Sequence, residues 1–174
     1  MTDLVRPFQG IYPKIGGQVF VADTARILGD VEIGEYASIW FGSVLRGDVG
    51  SIRVGARSNI QDLSLLHLSY GISSTVIGED VTVGHRAVIH GAIVGDGALI
   101  GIGAILLDNC EIGAECLVGA GSVVTPGTKI PPRRLVLGQP ARVVRELDES
   151  EWSQGRTLAL RYVELARAYR EGST

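Results

Sequence analysis

The chain has 174 residues and only three histidines, His67, His85 and His90, all between positions 67 and 90. One isolated histidine would read as a satisfied surface or core residue. Three of three in one short window point instead to a metal ion, because neutral imidazole is the commonest metal ligand. Polar residues that could support such a site lie nearby in Leu45-Arg46-Gly47-Asp48 and Asn59-Ile60-Gln61-Asp62.

The elements that must position these residues follow from an internal period. Aliphatic residues recur every six positions at Val94, Ile100, Leu106, Ile112, Val118, Val124, Ile130 and Val136. Earlier frames read Val21, Ile27, Ile33, Ile39, Leu45, then Val54, Ile60, Leu66, then Ile77, Val83, Ile89. A helix would scatter such positions around its axis, and the glycines at Gly95, Gly101, Gly113 and Gly119 would weaken it. The period fits short strands separated by turns, each with one aliphatic side chain pointing inward. Three strands close a triangular coil, and coils stack at the ~4.8 Å spacing of paired strands. The expected fold is an all-β solenoid, a parallel β-helix of about six triangular coils with a C-terminal α-helix.

The frame also places the histidines. With Val21 on face a, Leu45, Leu66 and Ile89 fall on face b if the long step from Leu66 to Ile77 is one rung carrying a loop. His67 and His90 directly follow Leu66 and Ile89, so they stack at one corner, with Arg46 one coil earlier. His85 lies two past Val83 and stacks on Asp62, two past Ile60, at a different corner. Corners are roughly 15–20 Å apart along a six-residue strand, whereas a Zn–N bond is about 2.0–2.1 Å. One chain therefore cannot gather all three rings, and a neighbouring chain can. Closed cyclic packing of that contact gives a homotrimer, with His67 and His90 from one chain and His85 from its neighbour.

Residues 1–20, with Pro7, Pro13 and Gly16-Gly17, are expected to cap the first coil, and 21–145 to form the β-helix. Residues 146–174 are expected to form the C-terminal helix. Asp148 and Glu151 make a capping box. Trp152, Leu158, Ala159, Tyr162, Leu165, Ala166 and Tyr169 recur at helical spacing, and Gly172 ends the run. The net charge of −3 argues against nucleic acid or an anionic membrane as partner. No apolar run approaches the ~20 residues of a membrane span, and no basic-then-apolar leader follows Met1. Cys110 and Cys116 are expected to be reduced core residues of a cytoplasmic protein.

The ordered set Arg46-Gly47-Asp48, Asn59-Ile60-Gln61-Asp62, His67 and Gly84-His85-Arg86-Ala87-Val88-Ile89-His90-Gly91 resembles the γ-class carbonic anhydrases. These belong to the hexapeptide-repeat (isoleucine-patch) superfamily, and the likeness is to their compact bacterial branch. The resemblance implies a left-handed β-helical homotrimer with zinc, or iron, held by His67, His85 and His90 at each subunit interface. It implies reversible hydration of CO2 to bicarbonate by zinc-bound hydroxide. Three neutral nitrogens would leave the fourth zinc position open, as in catalytic sites. By the same resemblance Arg46 and Asp48 form an ion pair near the interface, and Gln61 orients the water or bicarbonate. Asp62 supports the site, and Tyr162 lies over it.

The chain departs from the best-studied family pattern in the loop Leu68-Ser69-Tyr70-Gly71-Ile72-Ser73-Ser74-Thr75, which carries no carboxylate. Proton export would then need another route. Two other readings stand beside the anhydrase. One is a catalytically weak, metal-stabilised assembly subunit, and the other a hexapeptide-repeat acyltransferase using His85 as base.

Overall fold

A computed structural model describes residues 4–172. The inward aliphatic rows set its architecture. On face a, Val21, Ile39, Ile60, Val83, Ile100, Val118 and Val136 stack through seven parallel strands. Face b stacks Val5, Ile27, Leu45, Leu66, Ile89, Leu106 and Val124. Face c stacks Ile15, Ile33, Val54, Ile77, Val94, Ile112 and Ile130. The chain is thus a left-handed parallel β-helix of about seven triangular turns with a C-terminal helix. Ile27, Ile39, Leu45, Ile52, Ile60 and Leu66 are fully buried. Each such side chain contributes about 1.5–3 kcal/mol relative to exposure.

The turns explain the glycines. The third residue past many inward side chains is left-handed, as at Tyr36, Arg57, Arg86, Asn109 and Glu115, with φ of 59–60°. Each costs a non-glycine residue about 1–2 kcal/mol, which the stacked rungs on both sides offset. Glycine is needed instead just past the inward residue. A Cβ on Gly95 would lie 2.6 Å from the Ala114 nitrogen of the next rung.

The long step from Leu66 to Ile77 is one rung, because Ile77 pairs with both Val54 and Val94. The 68–74 segment therefore leaves the prism as a loop. At the N-terminus, Val5–Arg6 and Lys14–Ile15 pair in parallel with Arg26–Ile33. These residues join the prism and supply the extra turn beyond the expected six, with an excursion between them closed by the Phe8–Ile11 bridge.

The C-terminal helix is α1, Glu149–Trp152, followed by α2, Gln154–Glu171. Asp148 and Glu151 form the capping box, and Gly172 ends α2 in the left-handed conformation. The helix lies on face a. Gly155 sits so close that a Cβ there would meet the Gly97 carbonyl oxygen at 2.1 Å. The Thr82 hydroxyl donates to the Gly155 carbonyl at 3.1 Å. Toward the other end Tyr162 and Tyr169 lie edge-on to Trp40, with centroids 5.2 and 5.4 Å away. Among the described residues no helix is long and apolar enough to cross a membrane.

Candidate metal centre

His67 and His90 occupy the turn position that glycine holds elsewhere, so their side chains leave the prism at corner b. They are direct register partners in adjacent rungs. His67 Nδ1 and His90 Nε2 face each other at 3.3 Å. Two Zn–N bonds of about 2.0–2.1 Å at a tetrahedral angle span about 3.3–3.4 Å, so this spacing fits two ligands of one ion.

The other nitrogen of each ring meets a carboxylate. His67 Nε2 donates to Asp48 Oδ1 at 3.1 Å, and His90 Nδ1 to Asp108 Oδ2 at 3.3 Å. Asp48 also receives the Arg46 guanidinium. Burial pushes the Asp48 carboxyl up, but the hydrogen bonds from Arg46 and His67 outweigh it and hold it below its ordinary value. Asp108 behaves alike: burial raises it, and the Ser73 and Ser69 hydroxyls with His90 bring it lower. Carboxylates paired in this way with the outer nitrogens of metal-binding histidines fix ring tautomer and orientation.

Asp108 was not among the residues singled out from sequence. It stands two past Leu106, one rung beyond His90, and its contacts with Ser69 and Ser73 span 39 and 35 residues. Those contacts arise only when the 68–74 loop folds over corner b. The frame itself contained the one available signal, an acidic residue at a turn next to the histidine stack.

His85 lies at corner a, where its Nδ1 is 2.7 Å from Asp62 Oδ2. Gln61 and Tyr162 join His85 in lining a cavity of about 450 Å³, with Thr82, Leu99, Leu117 and Leu158. Gln61 Nε2 donates to Asn59 Oδ1 at 3.1 Å, and Asn59 donates in turn to the Thr82 hydroxyl at 3.0 Å. This chain pins the amide and leaves the second N–H and the oxygen of Gln61 for a ligand. Burial raises the Tyr162 hydroxyl above its ordinary value, and the Asp62 charge adds to the rise. The structure therefore brings Gln61, Asp62, His85 and Tyr162 together at one corner. It brings Arg46, Asp48, His67 and His90 together at another.

Among the described residues no group of three His, Cys, Asp or Glu could hold a metal ion within one chain. The two histidine clusters flank face b. His85 stands in the turn that enters the Val88–His90 strand, and His90 ends it. Val44, Leu65, Val88, Ile105 and Val123 form a registered outward row on that face. These five are half-buried. The outward row of face c is more polar, with Lys14, Glu32, Arg53, Glu111 and Lys129 around Val76 and Ile93.

Comparison with known proteins accords with this architecture. The family model described as bacterial transferase hexapeptide (six repeats) matches residues 12–47 and 91–126. The chain is 55% identical to a "Probable carbonic anhydrase" of Methanocaldococcus jannaschii over 87% of its own length and 95% of that protein. It is 43% identical to "Gamma carbonic anhydrase 1, mitochondrial" of Arabidopsis thaliana over 90% of its own length and 59% of the plant protein. A hexapeptide transferase family protein from Anaplasma phagocytophilum superposes with a TM-score of 0.91 and 39% identity, covering 97% of this chain and 99% of the other. With a likeness of this extent, the chain belongs to the γ-class carbonic anhydrase family of hexapeptide-repeat proteins.

Proposed function

We propose that the protein hydrates CO2 reversibly to bicarbonate at a zinc site, or an iron site in the cell, shared between chains of a homotrimer. One observation carries this reading. All three histidines set one ring nitrogen 2.7–3.3 Å from a carboxylate (Asp48, Asp108 or Asp62) and leave the other for a metal ion. Three such donors suit a catalytic zinc ion. When bound, such an ion supplies a hydroxide nucleophile near neutral pH by lowering the pKa of water to about 7.

The chain's own residues do the rest. His67 and His90 form one side of the site, and His85 of the neighbouring chain completes it. Gln61, held by Asn59, offers an N–H to a bicarbonate oxygen. Asp62 fixes the His85 tautomer, and Asp48, anchored by Arg46, fixes that of His67. Tyr162 walls the cavity with its ring against Trp40 and keeps its proton. Leu99, Leu117 and Leu158 exclude water from the side that an apolar gas would enter. The apolar row on face b, placed between the half-sites, supports a three-fold assembly built around that face. The net charge and the free, buried Cys110 and Cys116 support a cytoplasmic protein without nucleic-acid or membrane partners.

The proton leaves by a different route from that of a carboxylate-bearing loop. Asp108 is held by Ser69, Ser73 and His90, so it is not free to swing. Tyr70 is 81% exposed at the loop tip. Solvent buffer then becomes the proton acceptor. The test is metal analysis of the purified protein beside CO2 hydration at rising imidazole concentration, at fixed pH and ionic strength. The expected result is bound metal and a rate that climbs with buffer. Fully metal-loaded protein without activity at any buffer concentration would favour a metal-stabilised assembly subunit.

A second reading has one observation in its favour. The cavity beside His85 is larger than CO2 needs, and the His85–Asp62 pair has the form of a general base and its orienter. Acyl transfer would use this corner alone and would leave His67 and His90 idle. Acetyl-CoA turnover that persists in His90→Ala would establish it.

A further inference from the structure

Asp108, the carboxylate beside His90, also anchors a small latch with the 68–74 loop. The Ser73 hydroxyl donates to its Oδ1 at 2.5 Å, the Ser69 hydroxyl to its Oδ2 at 3.0 Å, and His90 Nδ1 to the same Oδ2 at 3.3 Å. The space is made for it. A Cβ on Gly91 would lie 2.1 Å from the Ser73 hydroxyl and 2.2 Å from the Asp108 carboxylate. Thr75 closes the other end of the loop, donating to the His67 carbonyl at 2.6 Å and accepting the Gly91 N–H at 3.0 Å. The loop thus ties the two histidine-bearing strands together through a carboxylate from the following rung.

We propose that Asp108 is a positioning residue of the metal centre: it holds the His90 ring in the tautomer and orientation that leave Nε2 for a divalent cation. Ser69 and Ser73 hold Asp108 in turn. This rests on the zinc reading above. It differs from a purely structural latch, which would stabilise the loop without altering affinity for the metal.

The experiment uses the full-length assembly and zinc itself. Affinity is measured by chelator competition, and the visible spectrum is recorded after cobalt(II) substitution. Asp108→Ala should weaken zinc binding by about 10–100-fold and perturb the cobalt spectrum. Asp108→Asn should recover much of that affinity, because its amide oxygen still accepts from His90. The Ser69→Ala/Ser73→Ala double variant should fall between wild type and Asp108→Ala. If Asp108→Ala keeps its affinity within about twofold and only the metal-free protein melts earlier, the latch is structural and the inference is overturned. Wild-type protein that binds no zinc would overturn both this inference and the reading beneath it. Tight wild-type binding with an unaffected Asp108→Ala would overturn this inference alone.

Discussion

Each of His67, His85 and His90 leans on a carboxylate of an adjacent rung, and that pattern makes the residues separable by experiment. His90→Ala should abolish metal binding and CO2 hydration together, read by metal analysis and by stopped-flow hydration of the same preparation. Tyr70→Glu should raise the rate at low buffer and flatten its dependence on imidazole, because a tethered base replaces a diffusing one. The cysteines make a contrasting case. Burial pushes the Cys110 thiol up to about 12, which leaves about one part in ten thousand as thiolate at pH 8. Iodoacetamide should therefore spare Cys110 in folded protein and label it only after unfolding. At this scale the sequence was informative where register alone decides position. Leu66-His67 and Ile89-His90 had to stack once the long step was read as one rung. Asp62 had to meet His85 for the same reason. Asp108 was not legible, because its partners Ser69 and Ser73 reach it only through the path of a loop that the six-residue period does not describe.

The C-terminal helix shows how one element sets the face of the site. Its seating depends on Gly155, where the helix backbone comes close to Gly97. Gly155→Ala should lift α2 from face a, cost about 1–3 kcal/mol as overpacking does, and lower activity by moving Leu158 and Tyr162. Thermal melting and hydration rate measure the two effects. The capping residue Glu151 has its carboxyl brought down to about 2, chiefly by Arg145 and then by the Asp148 backbone, from an ordinary 4.5. A depressed carboxyl stabilises the fold above its unfolded value, and the contribution fades as pH falls through the folded one. The melting-temperature gap between wild type and Glu151→Gln should therefore be full above pH 5 and close between about pH 4.5 and 2. The capping box, the helical stripe and the end at Gly172 were all readable before the structure. The strands at Val5 and Ile15 were not, because the Pro7–Pro13 excursion separates them and Gly16-Gly17 hides that Ile15 lies six before Val21.

At the scale of the whole molecule the proposed assembly depends on face b. Its outward row, Val44, Leu65, Val88, Ile105 and Val123, precedes each inward position by one residue and is not marked by the six-residue aliphatic period. In the proposed trimer these side chains would form an apolar surface between the two histidine clusters. Ile105→Glu should place an unpaired charge there, so that sedimentation shows monomers and bound metal is lost with the assembly. The central claim is that one chain supplies His67 and His90 and its neighbour supplies His85. Co-expression of His67→Ala and His85→Ala chains tests it most directly. Each variant alone lacks every complete site. In mixed trimers a His85→Ala chain contributes its intact His67 and His90 wherever a His67→Ala neighbour contributes His85. With random mixing and closed cyclic contacts, about a quarter of wild-type metal content and CO2 hydration should return. Mixed protein as empty as its parents, or single variants that keep full metal as monomers, would contradict the account.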